Sequence, residues 1–336
     1  MNLINSKKLY KLCFDDSDEF LDFYFQKRYS EKNNITILQN NVTVAALQAI
    51  PYTINVFDKI IDISYLSAIC THPDFRKQGL MKKLLAKTYR QLFADGVYAT
   101  FLIPAELWLF DVYKKNDYET IFFRSKTQIN TSEFNIKNDC KIYEFAEANK
   151  NDAFTYFNKK MSGRDCCVQH SFDDFEIVCQ DIYNSNGIIL IAECENKIAG
   201  ISFATRINND ISVIEHFADT TEITNTLLKT IAQKTKNDNL LVFDLPQKHN
   251  IEPFGMMRII NVEKMLTLYA AAHPKQTATI FVKDNIIPEN TGFYTIANAQ
   301  CKKTQLSAAE NTFNIRQLAL FIFWNQLPYM SLMISE

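Results

Sequence analysis

Residues 63–123 read ISYLSAICTHPDFRKQGLMKKLLAKTYRQLFADGVYATFLIPAELWLFDVYKKNDYETIFF, a run of strand, loop, helix, strand, helix and strand patterns. ISYLSAICT is a buried strand closed by His72-Pro73, because Pro73 has no N–H to give to a ladder. The loop DFRKQG runs into LMKKLLAKTYRQLF. There Leu80, Leu84, Leu85, Tyr89, Leu92 and Phe93 recur at helical spacing, with Lys and Arg on the other face. Asp95-Gly96 stops that helix, since Gly96 suits the left-handed position beyond a C-terminus. VYATFLI is the next buried strand, and Pro104 ends it.

The helix entrance carries the chemistry. Arg76-Lys77-Gln78-Gly79-Leu80-Met81 sets two cations and a glycine where the first helical N–H groups have no intrahelical partner. Free N–H groups and the helix dipole together make an anion site. Gly79 has no Cβ to keep a phosphate off the backbone. Only seven glycines occur in 336 residues, so one at this spot carries weight.

Strand, then T-H-P-D-F-R-K-Q-G, then a basic amphipathic helix resembles the acetyl-CoA-binding motif of the GNAT N-acetyltransferases, Arg/Gln-x-x-Gly-x-Gly/Ala. Arg76 and Gly79 match it, and Met81 stands where the family prefers a small residue. The resemblance implies acetyl-CoA as acetyl donor and a splayed strand, here Ile69, Cys70 and Thr71, that holds pantetheine by its backbone. It places Lys77, Gln78, Gly79, Leu80, Met81 and Lys82 at the pyrophosphate, with Arg76 beside them. Tyr113, in F-D-V-Y, matches the general acid: a phenol with a pKa of about 10 stays protonated at neutral pH and can donate to a departing thiolate. A structural tyrosine is the plainer reading of the same residue.

Composition narrows the rest. With 47% hydrophobic and 22% charged residues the chain is an ordinary globular protein, long enough for two or three domains. A net charge of −2 gives no electrostatic footprint for nucleic acid or an anionic membrane. MNLINSKKLYKLCF lacks a signal peptide's apolar core, and LALFIFW is too short to span a bilayer. A cytoplasmic location is expected, with neither membrane nor nucleic acid as partner. Eight cysteines without C-x-x-C spacing and five scattered histidines argue against a metal site or a disulfide, so reduced thiols are expected throughout. Cys166-Cys167 reads as two thiols facing opposite ways.

Along the chain, residues 7–30 read as helical and crowd Phe14, Phe20, Leu21, Phe23, Tyr24 and Phe25 among Asp15, Asp16, Asp18, Glu19 and Asp22. These acids are either a solvated helix face or the lining of a pocket for a cationic amine. ITILQ-NN-VTVAALQ and INVF-DK-IIDISYL are hairpins. The order β-β-β-α-β-α-β matches a GNAT domain over residues 1–135. Residues 136–250 look like an internal repeat: IILIAEC-ENK-IAGISFATRINNDISVIEHFAD parallels the first hairpin series, TEITNTLLKTIAQKT the helix, and NLLVFDLP mirrors YATFLIP. Where the first copy has cations and Gly79, the repeat has Asp219-Thr220-Thr221-Glu222, an acidic start that repels pyrophosphate. From Phe254 onward, MMRIINVEKMLTLYAAA reads as a helix, QTATIFVKDNIIPENTGFYTIAN as a strand pair, and NIRQLALFIF as another helix.

A GNAT domain, a degenerate repeat and a C-terminal α+β segment over residues 251–336, with M-x-R-I-x-N-V and P-x-N-x-G, resemble the enhanced-intracellular-survival (Eis) acetyltransferases. Their third domain is similar to sterol carrier proteins. The resemblance implies an α+β, mixed-sheet tandem GNAT architecture and N-acetyl transfer to a primary amine of a small molecule or peptide, without a metal. It also implies a homo-oligomer and a C-terminal carboxylate, here Glu336, as general base. The packed look of PYMSLMI suits that role. Glu106, just past Pro104, is the side-chain alternative for acceptor binding or base. Two other readings stay open. One is a non-catalytic acyl-CoA sensor or scaffold, favoured by Met81. The other is a tandem-GNAT aminoacyl transferase, disfavoured by the net charge.

Overall fold

The computed structural model describes residues 2–134, 136, 139–207, 210–246, 250–305 and 308–334. The first segment is two helices rather than one, α1 (Asn2–Cys13) and α2 (Asp18–Lys27). Ser17 makes the break by accepting the Phe20 N–H with its hydroxyl, which favours starting a new helix over continuing the old one. Three of the five acids of this region are spent locally. Lys7 pairs with Asp22, Lys11 with Asp18, and Tyr10 donates to Asp16. That is the solvated-face arrangement.

A meander of β1 (Asn34–Gln39), β2 (Val42–Val56) and β3 (Lys59–Thr71) follows. Asn40 and Asn41 take φ of 50° and 63° in its first turn; the second turn is Phe57-Asp58, one residue earlier than the pattern suggests. Pairing Val56 with Lys59 keeps Ile61, Ile63 and Tyr65 buried, and burial outranks turn propensity in setting register. Next come α3 (Leu80–Ala94), β4 (Ala99–Leu102), α4 (Leu107–Lys114) and β5 (Glu119–Asn130). The stripe Leu80, Leu84, Leu85, Tyr89 and Leu92 packs α3 against Val44, Ala45, Leu47 and Leu102, each buried side chain contributing about 2 kcal/mol. On the opposite face α1 sets Leu9 against Ala46 and Cys70. Successive strand residues alternate sides, so β3 is held between two helices.

The second stretch holds β6 (Lys141–Glu144), α5 (Lys150–Ser162), β7 (Cys167–Gln169), α6 (Phe172–Asn184), β8 (Ile188–Cys194), β9 (Lys197–Ile207), β10 (Asp210–Ala218), α7 (Thr221–Thr235) and β11 (Asn239–Asp244). From β8 onward this repeats the order β1-β2-β3-α3-β4, with a two-residue turn at Glu195-Asn196 and parallel pairing of β10 with β11. One expectation fails here, for Cys140 and Cys194 form a disulfide. Lys141 pairs with Glu193 across β6 and β8, which brings the two cysteines opposite each other although 54 residues separate them. Linear spacing carries no trace of such a cross-strand pair. Cys166 and Cys167 are buried thiols, both pushed up in pKa by desolvation.

The last stretch holds β12 (Ile251–Ile259), α8 (Val262–Ala272), β13 (Ala278–Lys283), β14 (Gly292–Ala297), β15 (Gln300–Thr304), β16 (Asn311–Asn314) and α9 (Ile315–Phe323). Met256 to Ile259, read as helical from the sequence, are strand: they pair antiparallel with β4. The helix starts only at Asn261, whose side chain accepts the Lys264 N–H. The M-x-R-I-x-N-V and P-x-N-x-G residues meet here. Arg258, wholly buried, makes two bonds to Asp284, and Asn290 bridges Asp284 to the Ile260 carbonyl. A buried guanidinium is tolerable only with such a partner.

The chain forms two compact units, Met1–Ile121 with Gly255–Gln326, and Phe122–Phe254 with Leu327–Glu336. The first contains strands in the order β1-β2-β3-β4-β12 and a separate sheet β15-β14-β13-β16. In the second the order is β5-β11-β10-β9-β8-β6. The fold is thus mixed α/β. Within the second unit the tail is packed: Tyr329, Met330, Leu332, Met333 and Ile334 are buried, and the Tyr329 backbone bonds to Cys166 and Val168. Among the described residues no helix is long and apolar enough to cross a membrane.

Candidate active site

Strand β3 is parallel to β4 over three pairs only, Ile63–Ala99, Ser64–Thr100 and Tyr65–Phe101. The Thr100 hydroxyl donates to the Ser64 carbonyl at 2.9 Å and fixes that contact. Beyond it β4 ends at Leu102 while β3 continues to Thr71. Ala68 has φ of 55°, opposite a register slip between Ala46 and Gln48, so a bulge turns β3 at this point. Among the described residues no strand covers the edge of β3 from Leu66 to Thr71. Its backbone N–H and C=O groups can bond an extended ligand chain lying in the opening. Of the residues expected there, Cys70 is buried towards α1, while Ile69 packs towards the α3 cluster.

The strand delivers the chain to the helix entrance. His72 accepts the Asp74 N–H, and the Arg76 guanidinium reaches back to the Thr71 carbonyl at 3.3 Å. Lys77 and Gly79 have φ of 62° and 73°, a paired left-handed bend that only Gly79 adopts without cost. No side chain caps α3 and its first turn has no acid. The N–H groups of Leu80, Met81 and Lys82 therefore keep the orphan status that suits an anion. A Cβ built on Gly79 would meet nothing within 4 Å, so the approach is open. Arg76, Lys77, Gln78 and Lys82 are exposed around it. Leu80 turns into the core, and so, in part, does Met81, which packs on the α3 cluster. Met81 thus leaves the start of α3 open despite its size.

Tyr113 lies on α4, buried at 7% exposure among Leu80, Leu84, Leu102 and Tyr118. Its hydroxyl has no hydrogen-bond partner among the described residues, and desolvation pushes its pKa up. It stays protonated at every physiological pH with its proton uncommitted. Glu106 is exposed at the N-cap of α4, where its carboxylate accepts the Trp108 indole N–H at 2.7 Å. Glu336 lies outside the described residues.

One neighbour of this strand leaves no mark in the pattern of residues. Cys13, the last residue of α1, donates its thiol to the Thr71 carbonyl at 3.3 Å. A hydrogen bond from Cys70, assisted by Arg76, pulls the Cys13 pKa down to about 7. Only the chain's return to β3 after 57 residues places it there.

The family described as "Acetyltransferase (GNAT) domain" matches residues 3–121, the span just described. Residues 3–121 thus match a GNAT acetyltransferase domain. Acyl transfer from an acyl-CoA is the work of that family. No curated protein sequence matches the chain. Several solved structures share its fold along nearly the whole length. A probable N-acyltransferase from Enterococcus faecalis aligns over 96% of this chain and 87% of that one, at 15% identity and a TM-score of 0.76. A GCN5-related N-acetyltransferase from Anabaena variabilis aligns over 95% and 86%, at 15% identity and 0.76. Eis1 from Mycobacterium abscessus aligns over 94% and 84%, at 12% identity and 0.71. The chain therefore shares its fold with Eis1 and with these acyltransferases.

Proposed function

We propose that the protein is an acetyl-CoA-dependent N-acetyltransferase acting on a primary amine by direct attack on the thioester. The observation carrying this is the uncovered edge of β3 leading straight to the uncapped, acid-free start of α3. Ile69, Cys70 and Thr71 hold the pantetheine arm through their backbone. The N–H groups from Lys77 to Lys82, with the Arg76 side chain, hold the pyrophosphate. A strand N–H facing the thioester carbonyl stabilises the oxyanion as the amine adds. Tyr113 donates its proton to the leaving coenzyme A sulfur, and its lack of any other described partner favours that role. Glu336 takes the amine's proton, as the resemblance implies.

In this reading residues 136–250 are a GNAT repeat without cofactor binding, and residues 251–336 form a segment of sterol-carrier type. Acetyl is preferred over longer acyl groups, the acceptor is a small molecule or peptide, and the protein works in the cytoplasm as a homo-oligomer. Calorimetry with acetyl-CoA, followed by thiol release across an amine panel, tests the reading. Tyr113→Phe is expected to lower kcat about 100-fold while leaving acetyl-CoA affinity unchanged. Binding without thiol release from any amine would instead establish an acyl-CoA sensor.

A further inference from the structure

Helix α4 begins unusually. Glu106 occupies its N-cap, where a carboxylate ordinarily accepts an N–H of its own helix, yet it makes no such bond. Instead one carboxylate oxygen is held by the indole N–H of Trp108 at 2.7 Å. The other oxygen has no hydrogen-bond partner and no cation beside it among the described residues. Trp108 is 60% exposed and Leu107 79% exposed, so the first turn of an eight-residue helix sets two large apolar side chains in solvent next to an acid with no cation beside it among the described residues. These residues sit four to six positions past Leu102, where β4 ends beside the opening of β3.

We infer that Glu106 and Trp108 form the acceptor's ammonium-binding site, and that the acceptor class is a cationic primary amine with an apolar body. The free carboxylate oxygen accepts an ammonium N–H, the indole face attracts the same charge, and Leu107 covers the adjoining methylenes. The indole N–H bond to Glu106 sets carboxylate and ring in one fixed relation, so the pair recognises charge and apolar surface together. This rests on the acyl-transfer reading for its place in a reaction, but amine binding can be read without any reaction.

The chain has two tryptophans, so Trp324→Phe leaves Trp108 as the single reporter in the full-length protein. Titration with hexylammonium should change its fluorescence saturably, while 1-hexanol, of the same length and uncharged, should not. Glu106→Gln should weaken hexylammonium binding at least tenfold. No saturable change, equal binding of 1-hexanol, or unchanged binding in Glu106→Gln overturns the inference. Steady-state thiol release separates the two readings. Trp108→Leu and Glu106→Gln should raise KM for hexylamine about tenfold with kcat largely kept, and Trp108→Phe should restore most of the loss. Release with KM untouched by these variants sinks the ammonium site and leaves the transferase standing. Charge-selective binding without release does the reverse.

Discussion

The two copies of the β-β-β-α-β pattern differ most where their helices begin. At α3 the N-cap is Gly79, with no capping side chain and no acid in the first turn. At α7 it is Thr220, whose hydroxyl accepts the Ile223 N–H, and Glu222 follows in the first turn. The first start is left unsatisfied, and the second satisfies itself. The strands before them diverge in the same way. Past the three β3–β4 pairs the edge of β3 is uncovered. Past Ser212–Leu241 and Val213–Val242, by contrast, β10 slips register and the buried Glu215 receives the hydroxyls of Tyr329 and Ser331, each at 2.6 Å, with Arg164 at 3.2 Å. One copy spends stability to keep polar groups available, while the other uses the chain's own tail and a cap to consume them.

The sharpest way to break this contrast is Gly79→Glu. The new side chain has steric room, and its left-handed φ of 73° adds only about 1–2 kcal/mol of local strain, so the main loss is at the anion site: acetyl-CoA affinity should fall beyond about 1,000-fold by calorimetry, with the fold kept by circular dichroism. Wild-type stoichiometry should be one per chain; two would mean that the second copy also binds. Glu215→Ala comes next. Removing a buried carboxylate that serves one guanidinium and two hydroxyls should cost about 3–5 kcal/mol in denaturant unfolding of the second unit. A cost near zero would mean that the tail is held by apolar packing alone. Thr220→Ala is the gentlest. It should cost about 1 kcal/mol, the usual worth of a cap, and leave acetyl-CoA binding unmoved.

Much of this contrast is legible in the sequence. Pro73, Gly79, Gly96 and Pro104 punctuate the decisive stretch, and each acts through local backbone chemistry that a one-dimensional pattern records. The repeat is readable for the same reason, since Asn40-Asn41 and Glu195-Asn196 mark equivalent turns. What escapes depends on contacts distant in sequence. Met256 to Ile259 carry helix-compatible residues and become strand because β4 offers a partner. Cys140 meets Cys194, and Cys13 meets Thr71, only through register and packing. The Glu106–Trp108 pair is short-range, yet its two exposures and its missing cap bond are facts of three dimensions.

The interleaving of the units has a consequence for synthesis. The first unit needs residues Gly255–Gln326 beside Met1–Ile121, and the second is closed by residues from Leu327 onward. A ribosome that has made the whole stretch from β3 through α4 has therefore completed neither unit. Until the chain has emerged past Tyr329, Ser331 and Leu332, the buried Glu215 carboxylate and the core around Cys167 and Phe175 lack their last partners. The nascent protein stays partly open, exposed to proteases and aggregation, until residues 327–334 have emerged.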